Sequence, residues 1–497
     1  MWTYLVALAL VVMSGLYYLA SKGRSSKGQN FPPGPPGLPI VGHLPMLGRL
    51  PHRALRDISR KYGPIVQLRF GQFPTVLVST PEAATQILKT HDSVFAGRPY
   101  MYAGEFLTYG GRNITASDYG TYWRNARKLC TVHLLSPHKV ESFEPMRREE
   151  VVLFVKTINE STSRGGPINL TEAVDSVISN STCRMLFGCR LEESASFNKA
   201  VKDVIALAGA INIADFIPFF RLFDVQGLVR RMKETSNLMD EFFERKIEER
   251  LCGGRVVQQE DFIDFFLKTL EKNNSTGITL DRDSIKGILM DLFVGGIDTA
   301  LSTVEWIMSE LLKHPKVMKK LREEIRSTIG LDRLVNESDL PKLEYLNMVV
   351  KEGFRLHPGA PLLAAHKALE DQEVMGYLIP KNTRIVINAW AIGRDPEAWK
   401  DPEEFVPERF IDSKVDFSGN DLRMIPFGSG RRKCPGMLVG SRLVSIVTAQ
   451  LLHCFDWELP NGMSPEELDM EEEFGLSLPR KNNLFAVPTC RLHHGVI

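Results

Sequence analysis

The residue whose neighbours most suggest chemistry is Cys434, in the run PFGSGRRKCPG at 426–436. A lone cysteine ordinarily packs as a small buried hydrophobe. Here Gly428, Gly430 and Gly436 allow a tight, close-packed turn around it. Pro435 suits the first turn of a following helix, MLVGSRLVSIVTAQLLH. A thiol at a helix N-terminus faces N–H groups that stabilise its anion, and such a thiolate is a soft, electron-donating ligand for iron. Zinc is the alternative metal, yet no second Cys or His stands nearby at ligand spacing. One thiolate fits haem, whose in-plane ligands come from the porphyrin. Arg432, two residues before the thiol, is placed to pair with a carboxylate of the bound group.

Other pairs carry weaker signals. Glu352 and Arg355 share one helical face and can pair, which alone describes an ordinary surface ion pair of little worth. GGIDTA, residues 295–300, lies inside a helical run from Ser284 to Lys313. Two consecutive glycines in a helix interior cost about 1 kcal/mol each against Ala. Close packing of another helix explains them, and so does a local distortion that makes room for bound oxygen. Asp298 and Thr299 then set a carboxylate and a hydroxyl in an apolar helix. Trp123 and Arg127, at i and i+4, also share a face, where a Trp–Arg stack is the plain explanation.

The pattern Phe427, Gly430, Arg432, Cys434, Gly436 closely resembles the haem-binding loop of the cytochrome P-450 monooxygenases. The other motifs resemble the family's in the right order, and the resemblance runs from a Pro-rich hinge to the C-terminus. It implies a mainly α fold with small β-sheets, preceded by an N-terminal transmembrane helix. It implies haem b with Cys434 as axial ligand, and a buried Glu352–Arg355–Arg409 network holding the chain under the haem. Trp123, Arg127, Arg432 and His366 would neutralise the propionates, and Asp298 and Thr299 would be the acid–alcohol pair that supplies protons. Position 300 is Ala where relatives often have a second hydroxyl.

By the same analogy the substrate contacts fall in residues 100–119, 207–223, 288–299, 359–365 and 474–478. Leu107, Ala208, Phe216, Phe293, Gly295, Ala360, Leu363 and Leu476 are the expected lining, although plain core would use the same residue types. They indicate a greasy pocket for a small hydrophobic molecule. DFIPFFRLFD (215–224) and FGLSLPRKN (474–482) look like the plant A-type branch, which serves specialised metabolism. Terpenoids, phenylpropanoids and amino-acid-derived compounds remain open as substrates. No Gly-x-Gly-x-x-Gly fingerprint occurs in the chain. The resemblance therefore implies electrons from NADPH through a flavoprotein reductase, docked on a basic surface that includes Lys128, Arg431 and Lys433. The alternatives are a haem-thiolate isomerase or dehydratase acting without O2, and a non-catalytic haem carrier or sensor. The Asp298–Thr299 pair argues against the first and the pocket against the second.

The elements that position these residues follow from composition and pattern. The chain has 497 residues, of which 43% are hydrophobic and 24% charged, as expected of a globular protein with a large core. Sixty-one Lys and Arg balance 60 Asp and Glu, without the basic excess of a nucleic-acid binder. Seven scattered Cys make no disulfide framework. Residues 2–20 carry no charge and would span a bilayer core of roughly 30 Å. Lys22, Arg24 and Lys27 follow them and set the remainder on the cytosolic side. We expect a single-pass anchor at 1–21 in the endoplasmic reticulum membrane, a basic and Pro-rich hinge at 22–44 and a catalytic domain at 45–497. Cytosolic topology would leave seven Asn-x-Ser/Thr sequons bare, among them Asn113 and Asn336. A strand is predicted in 71–80, and helices in 239–251 and 304–329 with a break at Pro315.

Overall fold

Two apolar helices organise the protein. The first starts where Asp281 accepts a hydrogen bond from the Ser284 N–H, and it stops at His314, before Pro315. The second begins three residues after Cys434. In a computed structural model that describes residues 30–163, 165–191, 195–252, 260–271, 280–493 and 495–496, the helices that matter here are α1 (Pro51–Tyr62), α2 (Thr121–Leu129), α3 (Glu144–Thr162), α4 (Leu170–Phe187), α5 (Ala195–Gly209), α6 (Leu228–Leu251), α7 (Arg282–Lys313), α8 (Pro315–Ile329), α9 (Glu344–Leu356) and α10 (Met437–Cys454). The expected anchor at 1–21 and residues 22–29 of the hinge lie outside the described residues. Helices α7 and α10 are apolar and long enough to cross a membrane, but most of each is buried inside the protein, as core helices are.

Val304, Ile307 and Leu311 of α7 meet Val349 and Phe354 of α9 and Val447 and Leu451 of α10 in the central core. A second core gathers Phe187, Phe242, Phe243 and Phe293. The strands are short and lie at the edges. β1 (Ile65–Phe70) and β2 (Phe73–Val78) pair antiparallel with Ile65 opposite Val78. Parallel β7 (Arg384–Ile387) joins β2, and antiparallel β4 (His366–Lys367) joins β7. β3 (Ile168–Asn169), β9 (Phe485–Cys490) and β8 (Phe455–Glu458) form a second sheet, and β5 (Gln372–Val374) pairs with β6 (Tyr377–Ile379).

α7 continues as helix through Gly295 and Gly296. A Cβ on Gly296 would stand 3.2 Å from Thr182 of α4, so that glycine serves helix packing. Gly295 has nothing within 4 Å of its Cβ position and borders open space. Asn113 is fully buried, and its amide donates to Asp291 at 2.6 Å. Burial alone keeps that sequon bare, so it carries no information about topology.

Beneath the Cys434 loop, Glu352 and Arg355 are buried to 0% and 1% exposure. Two Arg355 N–H groups reach the Glu352 carboxylate at 2.7 Å each, and Arg409 Nε and the Val406 N–H reach it at 2.9 and 2.8 Å. Arg355 also donates to the carbonyls of Gly393, Pro402 and Glu404, so the charge is paired and the donors filled. Arg355→Met would leave the buried carboxylate facing Arg409 alone. A loss of about 3–5 kcal/mol is expected, read as a lower denaturation midpoint with reduced haem content; Arg355→Lys should not restore it, because it lacks the planar fork.

The C-terminal loop is tied to α1 through Glu472, which accepts from His52 Nε2 at 3.1 Å and Arg53 Nε at 2.7 Å. Burial pushes this carboxyl up, but the bonds from His52 and Arg53 outweigh it and hold it at about 2. A carboxyl depressed by folding stabilises the fold above its unfolded value of 4.5, and that stability is lost as pH falls towards about 2. Chemical denaturation of Glu472→Gln across this window should show a flatter acid limb than wild type. An identical limb would place the acid sensitivity elsewhere.

Candidate active site

The Cys434 loop is fixed from several sides. The Cys434 N–H donates to the Phe427 carbonyl at 2.9 Å, and the Lys433 N–H to Gly430 at 3.2 Å. Gly430 has φ +67, and a Cβ there would meet the Leu88 carbonyl at 2.3 Å, so the loop needs glycine at this point. Phe427 packs edge-on against Phe354 of α9 with ring centroids 5.0 Å apart, which anchors the loop over the Glu352–Arg355 network. The Cys434 thiol keeps accessible surface. Burial pushes the thiol up, while the Gly436 N–H, Arg127, Lys433 and the Met437 N–H pull the other way.

On α7, Gly295 remains accessible in the middle of a long helix, and Thr299 is half-buried one turn on. The Thr299 hydroxyl donates to the Gly295 carbonyl at 2.8 Å. A Cβ on Gly359 would stand 3.3 Å from Thr299 Cβ, which brings the segment 359–363 against this turn. Leu363 sits in that segment at φ +50, a strained conformation for leucine, with its side chain 3.9 Å from the Cβ position of Gly428. Ala208, Ala360, Leu363 and Leu476 are all half-buried. The other expected lining residues pack as core. Phe293 is 0% exposed among Phe187 and Phe197. Phe216 stands edge-on to Phe70, and Leu107 is buried with Leu207 and Met232. Alternation of apolar types in sequence does not distinguish a wall from the layer behind it.

Asp298 turns away from Thr299. Its carboxyl is pushed up by burial, an effect partly offset by the hydroxyl and N–H of Ser477 and strengthened by Asp175. The two members of the expected acid–alcohol pair are thus neighbours in sequence with separate contacts.

Cationic groups collect beside Cys434. Arg127 of α2 is largely buried, and its guanidinium has no hydrogen bond or ion pair among the described residues. Burial lowers its pKa, and the Cys434 thiol is the largest opposing influence. Arg432 stacks on Trp123 at 4.3 Å and donates to the carbonyls of Ala96, Ile114 and Ser117. Trp123 spends its own N–H on the Ile114 carbonyl at 3.0 Å, so it supports Arg432 and offers no free donor. His366 Nδ1 lies 2.8 Å from the Phe95 carbonyl; burial and Arg98 bring it down to about 3, so the imidazole is neutral.

Arg98 is a residue that sequence reasoning missed. It is 8% exposed, donates to the carbonyls of Thr115, Ala364 and Ala365, and is held down to about 9 by burial and by Arg432. Its partners are backbone atoms from distant segments, which no local motif marks. The nearby Asp118 and Asp92 are engaged by Lys367 and Arg431. Three guanidiniums thus share the region, offset only in part by Asp118, Asp92 and the buried Asp291, which suits a bound group carrying two carboxylates. The donor set suits haem in a second respect, since among the described residues no cluster of three or more His, Cys, Asp or Glu could hold a metal. Cys434 supplies one thiolate, as a porphyrin-held iron requires.

The family model described as Cytochrome P450 matches residues 32–487. Cytochrome P450 CYP736A12 of Panax ginseng is 47% identical, with 93% of each chain covered. Desmethyl-deoxy-podophyllotoxin synthase of Sinopodophyllum hexandrum is 40% identical over 95% of this chain and 94% of that one. Flavonoid 3'-monooxygenase CYP75B137 of Crocosmia x crocosmiiflora is 40% identical over 98% and 97%. The fold matches a solved zebra fish cytochrome P450 structure with abiraterone at a TM-score of 0.75 and 24% identity, covering 89% of this chain and all of that one. With a family model spanning nearly the whole described chain and relatives this similar along their full length, the chain belongs to the cytochrome P450 family of haem-thiolate monooxygenases.

Proposed function

We propose that Cys434 would supply the thiolate that holds haem iron in an enzyme that inserts one atom of O2 into a small hydrophobic plant metabolite, the other atom leaving as water. The observation that carries this reading is the accessible Cys434 thiol at the start of α10, with open space at Gly295 beside Thr299 on α7 in support. When bound, haem supplies the redox chemistry, and its thiolate ligand favours O–O cleavage. The chain's residues do the rest. The N–H groups of Gly436 and Met437, with Arg127, hold negative charge on Sγ. Arg98, Arg127 and Arg432 provide positive potential for the two propionates, while neutral His366 adds no charge. Gly295 leaves room for a small molecule, and the Thr299 hydroxyl beside it holds a transferable proton. Asp298, raised by burial, retains a proton more readily than an ordinary carboxyl. Ala208, Ala360, Leu363 and Leu476 exclude water.

A phenolic or terpenoid substrate fits this apolar lining, and the flavonoid named for one relative supports the phenolic class. Electrons come from NADPH through a membrane flavoprotein reductase docked over Lys128, Arg431 and Lys433. Anchoring by residues 1–21 in the endoplasmic reticulum is supported by an apolar surface on the described part. Phe219, Leu222, Phe223 and Val225 are all more than half exposed. Phe216 and Ile217, just before them, share a core with Leu47, and Ile40 and Leu44 pack against it, so this surface adjoins the chain emerging from the hinge.

In the reductase-coupled full-length protein, Cys434→Ala should lose the long-wavelength absorption of the reduced, carbon-monoxide-bound form; retention of that band with full turnover would displace Cys434 as the ligand. Thr299→Val preserves volume and β-branching. Haem content and NADPH consumption should largely persist while product per NADPH falls several-fold and hydrogen peroxide makes up the difference, with about 10²–10⁴ as the upper range for lost acid–base catalysis. Unchanged coupling in both Thr299→Val and Asp298→Asn would remove the acid–alcohol role.

A further inference from the structure

Leu476 stands at the tip of a short hairpin closed by the Glu473 N–H on the Pro479 carbonyl at 3.0 Å and the Lys481 N–H on the Glu471 carbonyl at 2.9 Å, with the Gly475 N–H on the Ser477 carbonyl at 3.1 Å inside it. Its position is imposed by α7. Asp298, Ser302 and Trp306 recur at four-residue spacing along one face of that helix. Asp298 meets Ser477, and the next two converge on a single acceptor. Ser302 Oγ donates to the Leu478 carbonyl at 2.9 Å, and Trp306 Nε1 donates to the same oxygen at 2.7 Å. Ser302 and Trp306 are each 1% exposed, so neither touches the space in front of Cys434.

Trp306 is itself held in place. Its ring stacks on His357 with centroids 4.3 Å apart and planes 6° from parallel. His357 Nε2 bonds Glu310 at 2.7 Å, and the Arg480 guanidinium lies 5.5 Å from the indole and donates to Ser309 at 3.1 Å. From α5, Gly209 approaches so closely that a Cβ would stand 2.0 Å from the Leu476 nitrogen. The loop is gripped between two helices, and the grip on the α7 side is one doubly hydrogen-bonded carbonyl.

We propose that Ser302 and Trp306 clamp the Leu478 carbonyl and thereby determine, through Leu476, how large a molecule the site admits. The inference rests on the haem-thiolate reading of the site. Both are positioning residues, since they act through the loop. Loss of one donor leaves the carbonyl held by a single bond and loosens the loop, whereas loss of both leaves a buried acceptor that only movement of the loop can satisfy. Movement away from the site lowers the barrier to bulky ligands and leaves small ones unaffected.

The test uses haem-loaded, full-length protein titrated with imidazole and with a triphenylmethyl-substituted imidazole, both read from the haem absorption shift. Ser302→Ala and Trp306→Phe should bind imidazole as wild type does. Their affinity for the bulky ligand should rise by about fivefold, the scale of one hydrogen bond, and the double variant should exceed the product of the singles because the donors share an acceptor. Amide exchange at residues 475–478 should quicken in parallel. General loosening would instead shift both ligands alike. A wild-type ratio of the two affinities in Ser302→Ala and in the double variant overturns the clamp, and Ser302→Ala alone decides the matter if the Trp306 variants do not fold. If wild type binds neither ligand and lacks the thiolate band, the haem-thiolate reading fails and the clamp fails with it.

Discussion

Burial disfavours the anionic form of a thiol, and the enclosed Cys434 is pushed up accordingly. A thiolate ligand must therefore be stabilised by its surroundings, and much of the fold answers to that constraint. The sulfur sits where α10 begins, so the Gly436 and Met437 N–H groups face it, and Arg127 approaches from α2. The N–H contribution needs the loop held to hydrogen-bond geometry. The loop is accordingly locked to α9 by Phe427 against Phe354. Below it, the segment from Gly393 to Glu404 is bound to Arg355 by three carbonyls. A buried ion pair is weak support for net stability. Its value here is geometric, because one guanidinium and one carboxylate fix several irregular stretches that have no ladder of their own.

Helix α7 does three jobs along its length. Gly295 gives up side-chain bulk beside Thr299 and borders open space, while Ile307 and Leu311 build the core on another face. On nearly the same side as Gly295 and Thr299, Asp298, Ser302 and Trp306 hold the C-terminal loop. Consecutive residues on a helix point about 100° apart, so Asp298 and Thr299 make separate contacts although they adjoin in sequence. Asp298 and Leu476 are then mechanically linked, since Asp298 meets the same loop that carries Leu476.

What the sequence discloses follows from the range of the interactions involved. The Cys434 turn, the helix after Pro435, the stop before Pro315 and the Glu352–Arg355 spacing are local, and glycine, proline and helical periodicity report them directly. Residues whose roles depend on distant partners leave no such mark. Arg98 binds the carbonyls of Ala364 and Ala365, more than 260 positions away. Phe293 and Leu476 are both apolar, and only the aromatic cluster around Phe187 turns the first into core. The glycine pair in α7 admits two readings in sequence, and contact with Thr182 decides one of them in favour of packing. Asn113 carries a glycosylation signal that burial against Asp291 silences.

The cationic region near Cys434 shows where folding and binding compete. Arg98 and Arg432 are lowered to about 9 and about 10, and each lowers the other or a neighbour by like-charge repulsion. Both values still leave the groups protonated at neutral pH. With Arg127 they form a concentration of positive charge whose hydrogen bonds go mainly to backbone carbonyls, which carry dipoles but no net charge. Asp118, Asp92 and Asp291 offset part of this charge, but Asp118 and Asp92 are also engaged by Lys367 and Arg431. The region keeps a surplus of positive charge that a dianionic ligand would relieve. Binding to the folded chain then stabilises it by mass action, so the local sacrifice at the cradle becomes a source of affinity and couples retention of the group to integrity of the whole domain.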